Sequence, residues 1–453
     1  MAGVGKAQVT IAFDAWSAGN VAASHHEIEV IAPGAGPKLE PVSRRLRGEL
    51  QHPNRKGVLY GLRFSPDGKR IIAGDYPGGV IQVWDAETGK QLAKIETGYG
   101  FRGSTDYFFL TPDWHSLFVS RAKRKYTRIE KDGKQMVRWE FDGDVRTWDL
   151  SSGELSETFK HNPPRNILAM QLSPDGSSFM TGEQLPGEYE RTAPHAAGLW
   201  DTKTKEYRPL PDKLSVYGRF SPDNSKVAIT ADTDGIYTTA VKVLDVATAE
   251  EKLSIPITEP FTNAGVFGFT PDGRLLIGAT QTYPARNNYE SWDSALKLWD
   301  VSSGKEVASF TPGEKKSGFQ GPAFSPDGRT LAMTNWMGEQ SKLFLFDLPA
   351  RKLIETVILG EKSILREPVF SPDGNWIVVP TQAWPEDQLR AREPAVEELA
   401  QPRILVVDVA TGKVRETIVA PQGICASACF SPDGRTLATS GHGKVLLWDL
   451  TNQ

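Results

Sequence analysis

The apolar positions of this chain fall in short runs, many of them alternating with polar positions at a period of two. Val58-Leu-Tyr-Gly-Leu-Arg-Phe64, Arg70-Ile-Ile-Ala-Gly74, Val80-Ile-Gln-Val-Trp84 and Gln91-Leu-Ala-Lys-Ile95 form the first full set. Each run is too short for a helix and is bounded by Gly, Pro, Asp or Thr, so four strands, a to d, are expected with tight turns between them.

The set recurs along the chain. A turn reading Ser/Thr-Pro-Asp, usually followed by Gly, starts at Ser65, Thr111, Ser173, Ser221, Thr270, Ser325, Ser371 and Ser431. Pro presets φ at the first corner, Asp suits the second, and Gly takes the positive φ that leads into the next strand. Strand c then ends in an aromatic or aliphatic residue followed by Asp. These ends are Trp84-Asp85, Trp148-Asp149, Trp200-Asp201, Leu244-Asp245, Trp299-Asp300, Phe346-Asp347, Val407-Asp408 and Trp448-Asp449. Trp292-Asp293 lies seven residues before Trp299-Asp300, off this register, and is not read as a strand end. Successive turns are 46 to 62 residues apart. A repeat of roughly this length, built only of short strands, predicts a β-propeller.

The FSPDG-type turns (Phe64–Gly68, Phe324–Gly328, Phe370–Gly374 and Phe430–Gly434), together with the Trp-Asp ends, resemble the WD40-repeat family in a divergent, bacterial-type form. The resemblance covers about residues 43–453. It implies a propeller whose usual work is protein interaction. The chain departs from the family at one point. The Gly-His pair that precedes strand a, and completes a hydrogen-bonded network with the Trp of strand c, is mostly missing. His52 and His161 stand near such positions, while Gly441-His442 lies between strands b and c. On this reading the network is incomplete.

The last unit stops at Trp448-Asp449-Leu450 without a strand d, and an open ring would leave unpaired edges. Val42–Leu50 precedes the first strand a, where a strand d belongs, and is expected to pair with strand c of the last unit near Lys444–Asp449. The expected fold is therefore an all-β, eight-bladed WD40-like propeller over residues 41–453, closed by an N-terminal strand. Seven blades follow only if the second unit, with Trp114 where Gly is usual, is malformed. Residues 1–40 form a separate β segment. Gln8–Phe13 and Glu27–Ile31 alternate like strands, and a Pro/Gly linker, Ala32–Pro41, follows. They read as the stub of a β-sandwich domain, or as a strand pair packed on the propeller's side.

The a–b and c–d turns are short throughout. The extra residues fall mainly between strands b and c, at Arg121–Asp144, Glu183–Ala197, Asp232–Thr239, Gln281–Ala295, Asn335–Lys342 and Gln382–Pro402. In a propeller these connections emerge on one face, and variable loops on a rigid scaffold are where binding tends to reside. Five of the twelve Trp are the strand-c residues Trp84, Trp148, Trp200, Trp299 and Trp448, which together with Asp85, Asp149, Asp201, Asp300 and Asp449 mark the structural repeat. Four others, Trp139, Trp292, Trp336 and Trp384, lie on the inserted segments with Tyr189, Tyr283 and Tyr289. Aromatic side chains are enriched at interaction hot spots, although each could instead pin its own loop. The second unit's insertion is basic, with Arg124 and Arg128 among eight Lys and Arg, and reads as a hairpin with Asp132-Gly133 at its tip. The seventh unit's, Pro385–Ala400, is acidic. These aromatic residues, with Arg124 and Arg128, are the candidate protein-binding set.

Composition narrows the partner. A net charge of -4 and a pI near 6.1 argue against nucleic acid, and no apolar run is long enough to span a membrane. With no signal peptide at Met1–Thr10, a cytoplasmic, monomeric propeller is expected. Cys425 and Cys429 lie too far apart along a strand for a disulfide and read as small hydrophobes. Gly3-Val-Gly5-Lys6-Ala7 lacks phosphate-loop spacing, there is no GxSxG elbow, and no HExxH occurs among the seven His. No catalytic residue, cofactor or metal site is expected. The reading is a non-enzymatic scaffold for an unidentified protein or peptide. The alternatives are a sensor or regulatory module of a larger protein and, third, an enzyme or small-ligand binder using the central channel.

Overall fold

Each repeat folds into its own four-stranded antiparallel sheet in the order a-b-c-d. In the first these strands are Val58–Phe64, Arg70–Tyr76, Val80–Asp85 and Gln91–Glu96. The computed structural model describes residues 5–9, 26–30 and 46–450, except 77, 98–107, 122–123, 132–133, 190–194, 233–236, 287, 362, 384–401 and 420–424. Among the described residues, eight sheets correspond one to one with the eight turns read from the sequence. The second repeat is intact as a sheet, although its strand a is only Phe109–Leu110. In the seventh repeat strand a is split into Ser363–Leu365 and Val369–Phe370, both paired with Trp376–Ala383.

The eight a–b turns share one set of hydrogen bonds. In the first, Ser65 Oγ donates to Asp67 Oδ1 at 2.6 Å, and Arg70 N–H donates back to Ser65 Oγ at 2.8 Å. This explains the Ser/Thr and Asp that the sequence repeats. The fourth position always has positive φ, from 55° to 75°, and in two turns without glycine: Trp114 (55°) and Asn224 (62°). Trp114 accepts that conformation while its indole is buried. The Asp that ends strand c ties down the c–d turn. Asp85 Oδ1 accepts from the Thr88 N–H at 2.8 Å and the Thr88 hydroxyl at 2.7 Å. Hydrogen bonds from Ser302 and Ser303 likewise hold Asp300 down at about 2.

The chain divides into two compact units, residues 1–100 with 310–453, and residues 101–309. In the first, the sheets of repeats six, seven, eight and one pack in that succession. Leu343 and Leu345 meet Phe370 and Ile377, Val406 meets Phe430 and Trp448, and Leu447 meets Leu59 and Phe64. In the second, Phe118 meets Phe179, Leu199 meets Ile229, and Val243 meets Leu276 and Trp299 in the same manner. The large apolar side chains on both faces of the inner strands are thus buried between neighbouring sheets, which is the main source of stability in a stacked repeat.

The N-terminal strand d is found where the missing strand required it. Leu46–Gln51 pairs with Lys444–Asp449, with Leu46 opposite Trp448 and Gln51 opposite Lys444, and Leu50 is buried. Residues 42–45 of that expectation lie outside the described residues. Ahead of it, Gly5–Val9 pairs antiparallel with His26–Val30. The first of these strands begins before the expected Gln8, and residues 10–13 are not among those described.

Candidate interaction surface

Two of the inserted segments combine into a sheet that the repeat does not contain. Arg124–Lys131 and Lys134–Phe141 form a hairpin with Lys131 opposite Lys134, as the two-residue Asp132-Gly133 connection predicts; those two residues themselves lie outside the described set. Gly187–Tyr189, from the third repeat's b–c segment, adds a third strand with Tyr189 opposite Val137. Tyr126 lies opposite Trp139 with ring centroids 5.4 Å apart, and Trp139 stacks on Phe141 at 6.1 Å. The Trp139 Nε1 donor is buried and meets no acceptor among the described residues. Tyr189 donates its hydroxyl to the Pro186 carbonyl at 3.1 Å.

Charge is arranged unevenly on this sheet. Glu188 accepts hydrogen bonds from Lys131 at 2.9 Å and Arg138 at 2.7 Å, and these cations hold its carboxyl below the usual range. Arg128 is exposed. Of Arg124 only the backbone is described, opposite Phe141.

A second aromatic group gathers in the b–c segments of the fourth and fifth repeats. Tyr283 contacts Tyr289 edge-on at 5.1 Å, Trp292 at 6.4 Å and Tyr237 at 6.5 Å, and Tyr237 meets Phe261 at 5.8 Å. Tyr289 is 51% exposed, so the group is anchored on one side and open on the other. Neither Tyr237, inside the fourth repeat's b–c segment, nor Phe261, just before strand a of the fifth, carries a repeat signal in the sequence.

The remaining candidates stand apart. Trp336 lies on strand b of the sixth repeat, directly over Gly318. A Cβ on Gly318 would come within 2.2 Å of the Trp336 Nε1, so that glycine makes room for the indole. Its segment is also a correction. Asn335–Lys342 is not an added loop, because strands Thr330–Met337 and Gln340–Asp347 run through it to a tight turn at Gly338. Strand c of the fifth repeat similarly reaches back to Asp293 and leaves Trp292 just outside it. Trp384 and the acidic Pro385–Ala400 lie outside the described residues. Cys425 is buried, with burial pushing its thiol up to about 12, and Cys429 is partly buried.

In the third repeat Thr181, Glu183 and Arg165, which carry no repeat signal in the sequence, join Trp200 and His161 in one network. Trp200 Nε1 donates to the Thr181 hydroxyl at 3.1 Å, and Thr181 hydrogen-bonds Glu183. Glu183 Oε1 is 2.7 Å from His161 Nε2, and Glu183 Oε2 accepts from Arg165 at 2.6 Å. Burial alone would raise the Glu183 carboxyl, but the bonds from His161, Thr181 and Arg165 bring it below its ordinary value. The network judged incomplete is therefore whole in this one repeat, with Glu183 supplying the carboxylate. In the eighth repeat only its first link is described, Trp448 Nε1 to Thr439 at 2.9 Å.

A cleft of about 340 Å³ between repeats three and four is lined by Trp200, Asp201, Arg208, Asn224 and Asp245. It sits among the short turns rather than the long insertions, and its aspartates are those that cap c–d turns. Among the described residues, no three His, Cys, Asp or Glu side chains are grouped to hold a metal, and no helix is long and apolar enough to cross a membrane.

Four-stranded sheets, each with a Ser/Thr-Pro-Asp turn between strands a and b and an Asp closing strand c, packed face to face, define an all-β propeller-type fold. A family model described as WD domain, G-beta repeat, matches residues 45–85 and 412–449. The chain carries WD40 repeats. The solved C-terminal WD40 domain of Sif2 superposes with a TM-score of 0.57 at 13% identity, over 90% of this chain and 98% of that one. The guanine nucleotide-binding protein subunit beta of Oryza sativa subsp. japonica is 20% identical over 274 residues, 59% of this chain and 61% of that protein. The uncharacterized peptidase YuxL of Bacillus subtilis (strain 168) is 26% identical over 200 residues, 38% of this chain and 29% of that protein. Apoptotic protease-activating factor 1 of Mus musculus is 26% identical over 126 residues, 28% of this chain and 8% of that protein. The chain spans less than two thirds of the length of each of these curated relatives.

Proposed function

We propose that the chain is a non-enzymatic scaffold, an eight-bladed ring closed by Leu46–Gln51, that binds a protein or peptide on the face carrying the b–c insertions. One observation carries this reading. The insertions of repeats two to five place aromatic side chains in two contiguous groups, Tyr126 with Trp139 and Tyr283 with Tyr289 and Trp292, each with a member more than half exposed. Partly exposed aromatics on a stiff frame lose little side-chain entropy on binding and are frequent hot spots. The test is affinity purification from the native host with the intact protein, a Tyr289→Ala/Trp292→Ala variant and a variant with the hairpin Arg124–Phe141 shortened. A partner retained by the intact protein and lost from either variant, at unchanged melting temperature, supports the reading. The same partners on all three would refute it.

A second reading is a regulatory module within a larger protein. It is favoured by the small share, 29% and 8%, that the matched segment makes of two relatives. A reading frame continuing upstream of Met1 into a further domain would establish it.

A further inference from the structure

The sheet formed by Arg124–Lys131, Lys134–Phe141 and Gly187–Tyr189 differs in chemistry from the chain that carries it. Its strands hold six basic residues against three acidic ones, whereas the whole chain has a net charge of -4. Glu188 engages Lys131 and Arg138, and Glu140 faces Lys125 at 3.9 Å, which leaves an excess of positive charge on the hairpin. Among the described residues, Arg124–Lys131 pairs only with Lys134–Phe141. The other edge of that strand therefore presents backbone donors and acceptors with no sheet partner. Residues 124, 126, 128 and 130 share one face of the strand, and 125, 127, 129 and 131 share the other. Tyr126, on the first face, is 58% exposed and leans on Trp139.

We propose that this edge takes up an extended acidic segment of a partner protein as a fourth strand, a proposal that rests on the scaffold reading above. Main-chain hydrogen bonds would hold the segment, and side chains at alternate positions would select it. Successive same-face residues of an added strand stand about 6.6 Å apart, so each would lie beside a same-face residue of Arg124–Lys131. An acidic residue of the segment would meet Lys125 on one face, and on the other face an apolar residue would cover Tyr126 beside an acidic one that meets Arg128. The same cations repel a second copy of this basic edge, which guards against self-pairing. A nucleic acid suits the site less well, because the Tyr126 and Trp139 rings already touch and leave no slot for a base between them.

The test uses the full chain and a displayed library of random peptides about twelve residues long. Selected peptides are synthesised and titrated by fluorescence anisotropy, alongside copies N-methylated at alternate amides and a single-stranded oligonucleotide. The expected peptides carry two Asp or Glu three residues apart, with an apolar residue between them next to the acid that meets Lys125, and lack central proline. Their affinity falls about tenfold or more in the Lys125→Glu/Arg128→Glu variant, whose melting temperature is unchanged, and falls similarly on N-methylation. Selected peptides indifferent to the hairpin substitutions would overturn this inference and leave the scaffold reading standing. Peptides sensitive to the substitutions but not to N-methylation would overturn strand addition in favour of a purely electrostatic contact. An oligonucleotide that binds the hairpin more tightly than every peptide would overturn it in favour of nucleic acid. Selection of no peptide at all would count against both.

Discussion

His161 Nε2 and Glu183 Oε1 stand 2.7 Å apart, and neither side chain is more than 6% exposed. Between them they anchor the loop before strand a of the third repeat to its strand b. Thr181 then carries the connection to the Trp200 indole, and Arg165 and Tyr207 satisfy the second carboxylate oxygen. Removing His161 leaves Glu183 Oε1 with only the Thr181 hydroxyl in a buried site, and a buried carboxylate oxygen that loses a partner is costly. His161→Ala is expected to destabilise the protein by about 3 kcal/mol, read as a fall in the denaturation midpoint. An unchanged midpoint would mean that the pair contributes nothing to stability.

The same pair sets a pH response. The Glu183 carboxyl is lower in the folded protein than in the unfolded chain. Its contribution is therefore present at pH values above the unfolded carboxylate range, about 4.3, and is lost as pH falls through the depressed folded value. Thermal melts at neutral and at acidic pH should show a smaller loss on acidification for Glu183→Gln than for the native chain. Parallel losses would assign the acid sensitivity to other carboxylates.

In the first repeat the equivalent network lacks its hydroxyl, and Asp75 accepts from Asn54 and the Val80 N–H. Ile71 faces Trp84, Phe179 faces Trp200 and Leu437 faces Trp448, so Ala73 occupies the position of Thr181 and Thr439. His52 is buried there with its Nε2 unsatisfied. Ala73→Ser adds a hydroxyl at the position from which Thr181 links Trp200 to Glu183, and is expected to stabilise by about 1 kcal/mol. Thr439→Ala, which removes an existing bond, is expected to destabilise by about the same amount. Loss of stability in Ala73→Ser would show that the space around Ala73 cannot accept the hydroxyl.

Turn geometry supports a further pair of substitutions. Asn224 holds a positive φ of 62° in the position glycine fills in six of the eight a–b turns. Asn224→Gly relieves that strain at the loss of the bond from the Asp175 N–H to Asn224 Oδ1, so its net effect should lie within about 0.5 kcal/mol of zero. Trp114→Gly relieves the same strain but removes a buried indole, and should cost about 2 kcal/mol or more. Chemical denaturation of both variants checks the contrast. Equal effects would mean that the Trp114 indole does not contribute to packing.

The pairing of Leu46–Gln51 with Lys444–Asp449 predicts a sharp boundary for truncation. Deleting residues 1–45 should leave the melting temperature within a few degrees of that of the full chain. Deleting residues 1–51 removes buried Leu50 and exposes the edge of the strand bearing Trp448, and should cause a marked loss of stability with aggregation. Similar behaviour of the two truncations would show that the N-terminal strand is dispensable.

Much of this architecture follows from residues read one at a time. Ser65, Pro66, Asp67 and Gly68 specify a turn through their own φ preferences and a hydrogen bond spanning two residues. Repeated eight times, such local rules determine where strands begin and end, and the absence of a strand d after Asp449 calls for the partner found at Leu46–Gln51. What the tertiary structure alone decided depends on contacts between segments distant along the chain. Gly187–Tyr189 joins a hairpin about fifty residues before it, a pairing that no local periodicity encodes. Tyr237 becomes a partner of Phe261 and Tyr283 only when neighbouring sheets stack. Glu183 reads as one more polar residue at the end of a strand until His161 and Arg165 arrive beside it. Short-range preferences are written in single residues, whereas the aromatic groups and the buried ion network arise from long-range packing, which brings side chains together irrespective of their order in the sequence.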